Sequence, residues 1–226
     1  CNGYTINYSS AGTLGYGVNV TGYNLTTIKN CVIKEGSSGT NGKHGIYFTY
    51  ANNGTVNNNT INMSGSGSYG IYLFTKSNSN NLSNDIVTHT GSNSPYGIYL
   101  VSNSNNSLSN NIVTTNGANG YGVYLETSST NILSNNTITT SGTISYGIYL
   151  VTNANFNILS NNTITTSGTY VSGMYLVSST NNTLLSNMVN SSKSNSYRIY
   201  GSVISQYNHS IDSSNLAEGK PVNYTF

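Results

Sequence analysis

Five acids, three histidines and two cysteines are the residues of this 226-residue chain whose types could do chemistry. Two or three convergent carboxylates would support acid and base hydrolysis or hold a cation. The acids are Glu35, Asp85, Glu126, Asp212 and Glu218. Glu35 lies just beyond a turn strand, Asp85 is the second residue of an asparagine turn, and Glu126 follows a strand. Asp212 and Glu218 belong to the C-terminal part. No two of them share a face in the repeat register. His44 takes the place of a tyrosine and His89 the place of a threonine, on different edges, and His209 stands further along the chain. A shared metal is not expected, and Met63, Met174 and Met188 read as core or strand substitutes. No cofactor is expected. Cys1 and Cys31 lie about one repeat apart. They read either as a disulfide bracing the N-terminal end in an oxidising compartment or as two stacked free thiols. Cys1 is also a candidate for lipidation.

The most regular chemistry is aromatic. Tyr47, Tyr72, Tyr99, Tyr124, Tyr149, Tyr175 and Tyr200 recur in one register, which predicts an outward row along one strand face. A second row, Tyr16, Tyr69, Tyr96, Tyr121, Tyr146 and Tyr197, lies three residues earlier and is expected to point inward or to sit at a corner. The outer row has three readings. It stiffens the sheet by cross-strand stacking, it offers a platform to glycans, or it glues one copy of the chain to another. Thr60, Thr88, Thr114, Thr137, Thr139, Thr163 and Thr165 form a further array of the kind that binds ice, broken by Val32, Ile86 and Ile112.

These residues need elements to position them, and the elements repeat. The stretch "YGIYLVTNANFNILSNNTITTSG" (146–168) restates "YGVYLETSSTNILSNNTITTSG" (121–142). Anchoring on the central apolar residue gives Val18, Ile46, Ile71, Ile98, Val123, Ile148, Met174 and Ile199, in steps of 25–28 residues. A fixed period of this size points to a solenoid. Within a repeat, Ile148 and Leu150 alternate with Tyr149, the period of a strand. Leu133 and Ile138 flank "SNN", a sharp turn suited to asparagine. The loops leave no room for crossover helices, so successive coils must pair strand over identical strand. Eight coils about 4.8 Å apart make a rod on the order of 35–40 Å long. Asn30, Asn58, Asn84, Asn110, Asn135, Asn161 and Asn187 then stack, either as a hydrogen-bonded ladder or as solvated turn residues.

Composition supports the same reading. The chain holds 40 Asn, 36 Ser and 28 Thr, with a net charge of +2 and only 5% charged residues. That leaves no electrostatic footprint for nucleic acid. No apolar run approaches the roughly 20 residues of a membrane span, so direct membrane insertion is not expected. The beginning at "CNGYTI" and the end at "PVNYTF" read as cuts within a longer protein. The 14 N-x-Ser/Thr sequons are close to the chance expectation in so Asn-, Ser- and Thr-rich a chain.

"LSNNTITTSG" with "GIYL" resembles the repeat of right-handed, single-stranded parallel β-helices, a group that includes pectate-lyase-like enzymes, NosD-like proteins and prokaryotic surface proteins, especially archaeal ones. "NLAEGKPVNYTF" (215–226) resembles the segment after the repeats in NosD-like chains. The resemblance implies an all-β, right-handed β-solenoid of about eight coils over residues 1–210, with a C-terminal segment over 211–226. It also implies an extracellular or cell-surface location. Together with the tyrosine row, it leads to a structural and adhesive, non-catalytic module. The expected partners are glycans, other copies of the chain or neighbouring surface subunits. The alternative is part of a carbohydrate-active enzyme, a lyase or hydrolase, and a minor alternative is an ice-binding face.

Overall fold

The computed structural model describes residues 1–9, 15–36 and 42–225. The last position of "CNGYTINYSS" and of the 211–226 segment therefore falls outside the described residues. The chain is an all-β parallel solenoid of about eight coils. Each full coil contributes one strand to each of three sheets. The tyrosine sheet holds eight strands, from Gly15–Thr21 to Asn195–Tyr200. The short sheet holds eight, from Thr27–Lys29 to Ser210–Ile211, and the threonine sheet holds ten, from Thr5–Tyr8 to Lys220–Pro221.

The repetition in the sequence is explained by the register. Ile98 pairs with Ile71 and Val123, Leu108 with Leu82 and Leu133, and Val113 with Val87 and Ile138. All nine are buried. Three apolar columns, one from each sheet, thus meet along the axis, and each buried aliphatic side chain contributes roughly 1.5–3 kcal/mol. A column tolerates only residues that fit against their own counterparts, so the same types return at every step.

Two details of register differ from the sequence reading. The last coil is two residues shorter than the shortest of the others, so Ile199 pairs with Leu176 and Tyr197 with Met174. Ile199 is therefore out of the column of Ile148, and Tyr200 pairs with Val177 rather than with Tyr175. The second difference is a kink at the glycine of each "YG" pair. Tyr96 pairs with Tyr121 and the ladder resumes at Ile98 and Val123, passing over Gly97. A Cβ on Gly97 would meet Val113 Cγ1 at 2.2 Å and the Gly122 carbonyl at 2.6 Å, so the position faces inward with no room for a side chain. Gly97 and Ile98 both use the inner side, which shifts the phase by one residue. Tyr96 and Tyr99, three apart, therefore share the outer face.

The asparagine turns also sort differently. Asn58, Asn84, Asn110, Asn135 and Asn161 adopt left-handed backbone with φ of 55–57°, and they are exposed. The buried column is the residue after each: Asn59, Asp85, Asn111, Asn136 and Asn162, continued by Asn187 and Asn215. Of the expected ladder only Asn187 belongs to it, because Ser186 takes the turn position in that coil. Asn136 Oδ1 accepts from the Asn111 backbone N–H at 3.0 Å and from Asn111 Nδ2 at 3.0 Å. Its own Nδ2 donates to Asn162 Oδ1 and to the Leu108 carbonyl, both at 2.9 Å. A second buried column, Asn80, Asn106, Asn131, Asn157 and Asn182, brackets the other end of the short strands and ends on His209. Buried amides of this kind remain tolerable because their donors and acceptors are spent on the adjacent coils.

The stack runs past residue 210. Ser210–Ile211 pairs with Thr183–Leu185, and Leu216–Ala217 continues the threonine sheet. The chain then turns back in an antiparallel hairpin, and Val222 and Tyr224 pack against the end of the core. At the opposite end, Cys1 and Cys31 are joined in a disulfide with Cα atoms 4.8 Å apart. They border a cavity of about 490 Å³, also lined by Val18, Thr27, Ile28 and Lys29.

Candidate functional site

The outer face of the tyrosine sheet is the most continuous chemical feature of the protein. Tyr72, Tyr99, Tyr124, Tyr149 and Tyr175 stack along the axis with ring centroids 4.6–5.3 Å apart and planes within 15°. Tyr47 joins this row at 5.3 Å with its plane tilted by 43°. Beside it Tyr69, Tyr96, Tyr121 and Tyr146 stack at 4.8–5.2 Å with planes within 13°. The second row was expected inward or at a corner, but the glycine kink brings it onto the outer face. Between rows the rings meet edge to face, as in Tyr96 against Tyr99 at 81° and against Tyr124 at 83°. The result is a herringbone in which each ring of the middle coils has neighbours on both faces. Each pair adds about 0.5–1.5 kcal/mol beyond the area it buries.

The ends of the herringbone depart from tyrosine. In the first coil, Asn19 takes the outer-row position, and Tyr16 stacks on Tyr47 at 4.7 Å. His44 replaces tyrosine in the second row and stacks on Tyr69 at 4.7 Å. In the last coil Arg198 stands where Tyr200 was expected, with its guanidinium 4.5 Å from the Tyr175 ring centre. Tyr197 points into the end of the core and donates to the Asn187 carbonyl.

The rings are packed rather than freely exposed. Tyr99, Tyr146 and Tyr175 are buried to the same degree, each 9% exposed. Burial pushes Tyr69 and Tyr149 up to about 12 and raises Tyr72, Tyr99 and Tyr124 further. These phenols are all neutral across physiological pH. Tyr99 donates to Glu126 Oε2, and that carboxylate also raises Tyr99.

The acids read from the sequence are dispersed, whereas His44 and His89, expected on different edges, meet at Ser68 and Tyr69. Asp85 is buried in the asparagine column, where Oδ1 accepts from the Asn59 backbone at 2.8 Å and from Asn59 Nδ2 at 2.9 Å. Burial pushes its pKa up to about 6. Glu218 accepts from the Ser191 backbone and from Ser196, and Asp212 from Ser214. Glu35 forms a buried pair with Lys43, 3.6 Å apart, and its other oxygen accepts from the Ser64 and Gly65 N–H groups at 2.8 Å each. The sequence reading missed Lys43. Nothing in its neighbours signals burial, because the pair depends on two coils meeting at one corner.

The threonine face carries two outward columns. Thr60, Ile86, Ile112, Thr137 and Thr163 form one, and Asn62, Thr88, Thr114, Thr139 and Thr165 the other. Ile86 and Ile112 interrupt the first as expected, and both are exposed.

The three stacked sheets define the class, a single-stranded parallel β-helix. Residues 3–222 match the model of the NosD family, described as periplasmic copper-binding protein, and the chain belongs to that family. No curated protein sequence matches the chain. Among solved structures it is similar to a mutant tailspike protein of E. coli bacteriophage HK620 in complex with a pentasaccharide. The identity is 11% and the TM-score 0.57, over 95% of this chain and 47% of that one. A double mutant of the same tailspike gives 10% identity and a TM-score of 0.55, over 93% and 45%. The chain spans about half the length of these structures, and the likeness is one of fold.

The copper in the family description calls for a test of the donor set. Both thiols are in the disulfide. His89 Nε2 lies 2.7 Å from the Ser68 carbonyl, and its Nδ1 accepts from the Gly91 N–H. His44 Nδ1 accepts from Tyr69 N–H and His209 Nδ1 from Asn182 N–H. Met63 Sδ accepts from Tyr8. Burial lowers all three histidines to about 4, so the imidazoles are neutral. Among the described residues no three His, Cys, Asp or Glu side chains come together. These residues do not fit a copper centre: His44 and His89 approach each other at Ser68 and Tyr69, but no third donor among the described residues completes a set with them, and both rings are already bonded to backbone.

Proposed function

We propose that the chain is an extracytoplasmic structural and adhesive module, non-catalytic, that offers its tyrosine face to glycans or to neighbouring subunits. The observation that carries this reading is the unbroken aromatic herringbone, which occupies one outer face over most of the coils. Tyrosine suits interfaces because each ring brings contact area with a polar tip. The disulfide agrees with an oxidising compartment outside the cytoplasm. The fold also serves the tailspike protein whose structure holds a pentasaccharide. Against the enzyme reading stand the five acids, each committed to a different hydrogen-bonded or paired position.

A glycan array tests the reading directly. Binding to array glycans without release of reducing ends from the same polysaccharides supports it. Release of reducing ends from pectin or alginate would replace it with the enzyme reading.

A further inference from the structure

We infer that the tyrosine face recognises an extended, uncharged polysaccharide lying along the rod axis, and that it does so through phenol hydroxyl groups rather than ring faces. This deepens, and rests on, the glycan reading above. The usual way for an aromatic side chain to hold a sugar is to place its face under the sugar ring. That mode is closed here. Tyr99 has Tyr72 stacked at 5.1 Å on one side and Tyr124 at 4.6 Å on the other. Tyr69 and Tyr96 meet the same ring edge to face at 5.0 and 5.3 Å. What such a herringbone leaves for a ligand is ring edge and hydroxyl.

The hydroxyls are available. The phenol oxygens of Tyr72, Tyr121, Tyr124 and Tyr149 bond to no described residue, and none of them is sealed from solvent. Tyr99 differs, since its hydroxyl is held by Glu126. A phenol hydroxyl donates once and accepts, like the hydroxyls of a sugar. Successive rings lie 4.6–5.3 Å apart, centre to centre, close to the length of one sugar unit in an extended chain. A polymer parallel to the rod can therefore meet one coil per sugar, and many weak contacts add along a preorganised surface.

Charge decides the class of polymer. Within this sheet the charged side chains are Lys43, Glu126 and Arg198, of which Lys43 is buried with Glu35, Glu126 is bonded to Tyr99, and Arg198 covers the end ring. An acidic polysaccharide needs cations spaced along its length, and this face has none in its middle coils. Hydroxyl-to-hydroxyl recognition suits a neutral glycan.

The experiment uses the full chain and the triple variant Tyr72→Phe/Tyr124→Phe/Tyr149→Phe, which keeps every ring and removes three hydroxyls. Tyr4→Phe, at an exposed position just before a strand of the threonine sheet, is the control. Binding is measured to cellulose, chitin and a soluble neutral β-glucan, and to alginate and pectate as acidic polymers, beside a thermal melt of each variant. The expected result is retention on a neutral polymer, at least a tenfold loss in the triple variant, and an unchanged melt and control. Neutral binding that survives in the triple variant overturns the hydroxyl mechanism while leaving the glycan reading intact. Binding confined to the acidic polymers overturns the choice of ligand. Failure to bind any of the five polymers, together with a blank glycan array, removes the glycan reading itself.

Discussion

Asparagine and tyrosine each form two regular columns in this molecule, and they use repetition in opposite ways. The asparagine columns lie inside, and each amide is consumed by its neighbours: Asn136 alone serves Asn111, Asn162 and Leu108. The tyrosine columns lie outside, and stacking consumes their ring faces but, Tyr99 apart, leaves hydroxyls such as those of Tyr124 and Tyr149 unspent. Stacking identical coils is therefore neutral about purpose. A repeated polar residue is a structural part when its hydrogen-bonding groups close on themselves, and a candidate for recognition when they do not.

The contrast breaks most visibly inside. Asn136→Leu would strand the Asn111 backbone N–H and remove three further bonds, those from Asn111 Nδ2, to Asn162 Oδ1 and to the Leu108 carbonyl. Asn111 Nδ2 keeps the Leu82 carbonyl, and Asn162 Oδ1 keeps the backbone N–H of residue 136. At about 1–3 kcal/mol for the buried orphan and about 0.5–1.5 kcal/mol for each of the other bonds lost, the expected loss is about 3 kcal/mol, seen as a marked drop of the urea unfolding midpoint. A loss under 1 kcal/mol would mean that the columns are not what holds the turns. Ile98→Asp belongs in the same class, since it places an unpaired carboxylate among buried apolar neighbours.

Asp85 sharpens the comparison, because it is an asparagine position occupied by an acid. Its Oδ2 is buried without a partner, at the atom where every other member of the column carries an amide donor. A protonated carboxyl supplies the missing donor. The folded pKa of about 6 exceeds the ordinary 3.8, so the folded state holds the proton more tightly than the unfolded chain. The penalty is absent below pH 4, grows as pH rises, and reaches roughly 2–3 kcal/mol above pH 6. His44, His89 and His209 act in the other direction: their folded values of about 4 make stability fall as pH drops from about 6.5. The clean measurement is thus the difference in unfolding free energy between Asp85→Asn and the parent chain. It is expected to favour the variant at pH 7.5 and to vanish near pH 4. A constant difference would show that ionisation is not the cause.

The outer columns should respond less. Tyr149→Ser alone removes four ring contacts and is expected to cost about 1–3 kcal/mol in a thermal melt. No change in the melt would mean that the herringbone contributes nothing to the sheet. Arg198→Ala uncovers only the end ring, and its expected cost is about 0.5–1 kcal/mol. A larger loss would make Arg198 part of the end cap rather than a lid on Tyr175.

The fold was legible because parallel stacking forces like onto like. "GIYL" and "LSNN" announce columns before any contact is known. Which asparagine of each "NN" turns inward was not legible, since both positions repeat equally well. The choice lies in a backbone angle, left-handed at Asn110 and not at Asn111. The column of Asn106, Asn131 and Asn157 had a signal that went unread, an asparagine two residues before each apolar residue of the short strand. The double tyrosine face was concealed by counting: residues three apart fall on opposite sides of a regular strand, and only the glycine after Tyr96 reveals the change of phase. The displacement of Tyr200 depends on a coil shorter by two residues, and the eye aligns "YRIY" with "YGIY" before noticing the length.

The disulfide has a mechanical consequence. A coil of 25 residues would span about 80–90 Å when pulled straight, yet in the stack it advances the rod by only about 4.8 Å. Tension along the axis would therefore peel the solenoid one turn at a time, each release paying out a long loop of slack. The bond between Cys1 and Cys31 ties the first turn to the second. Tension applied at Cys1 passes through the bond straight to Cys31, so the loop between them is shielded and peeling from that end must start beyond Cys31.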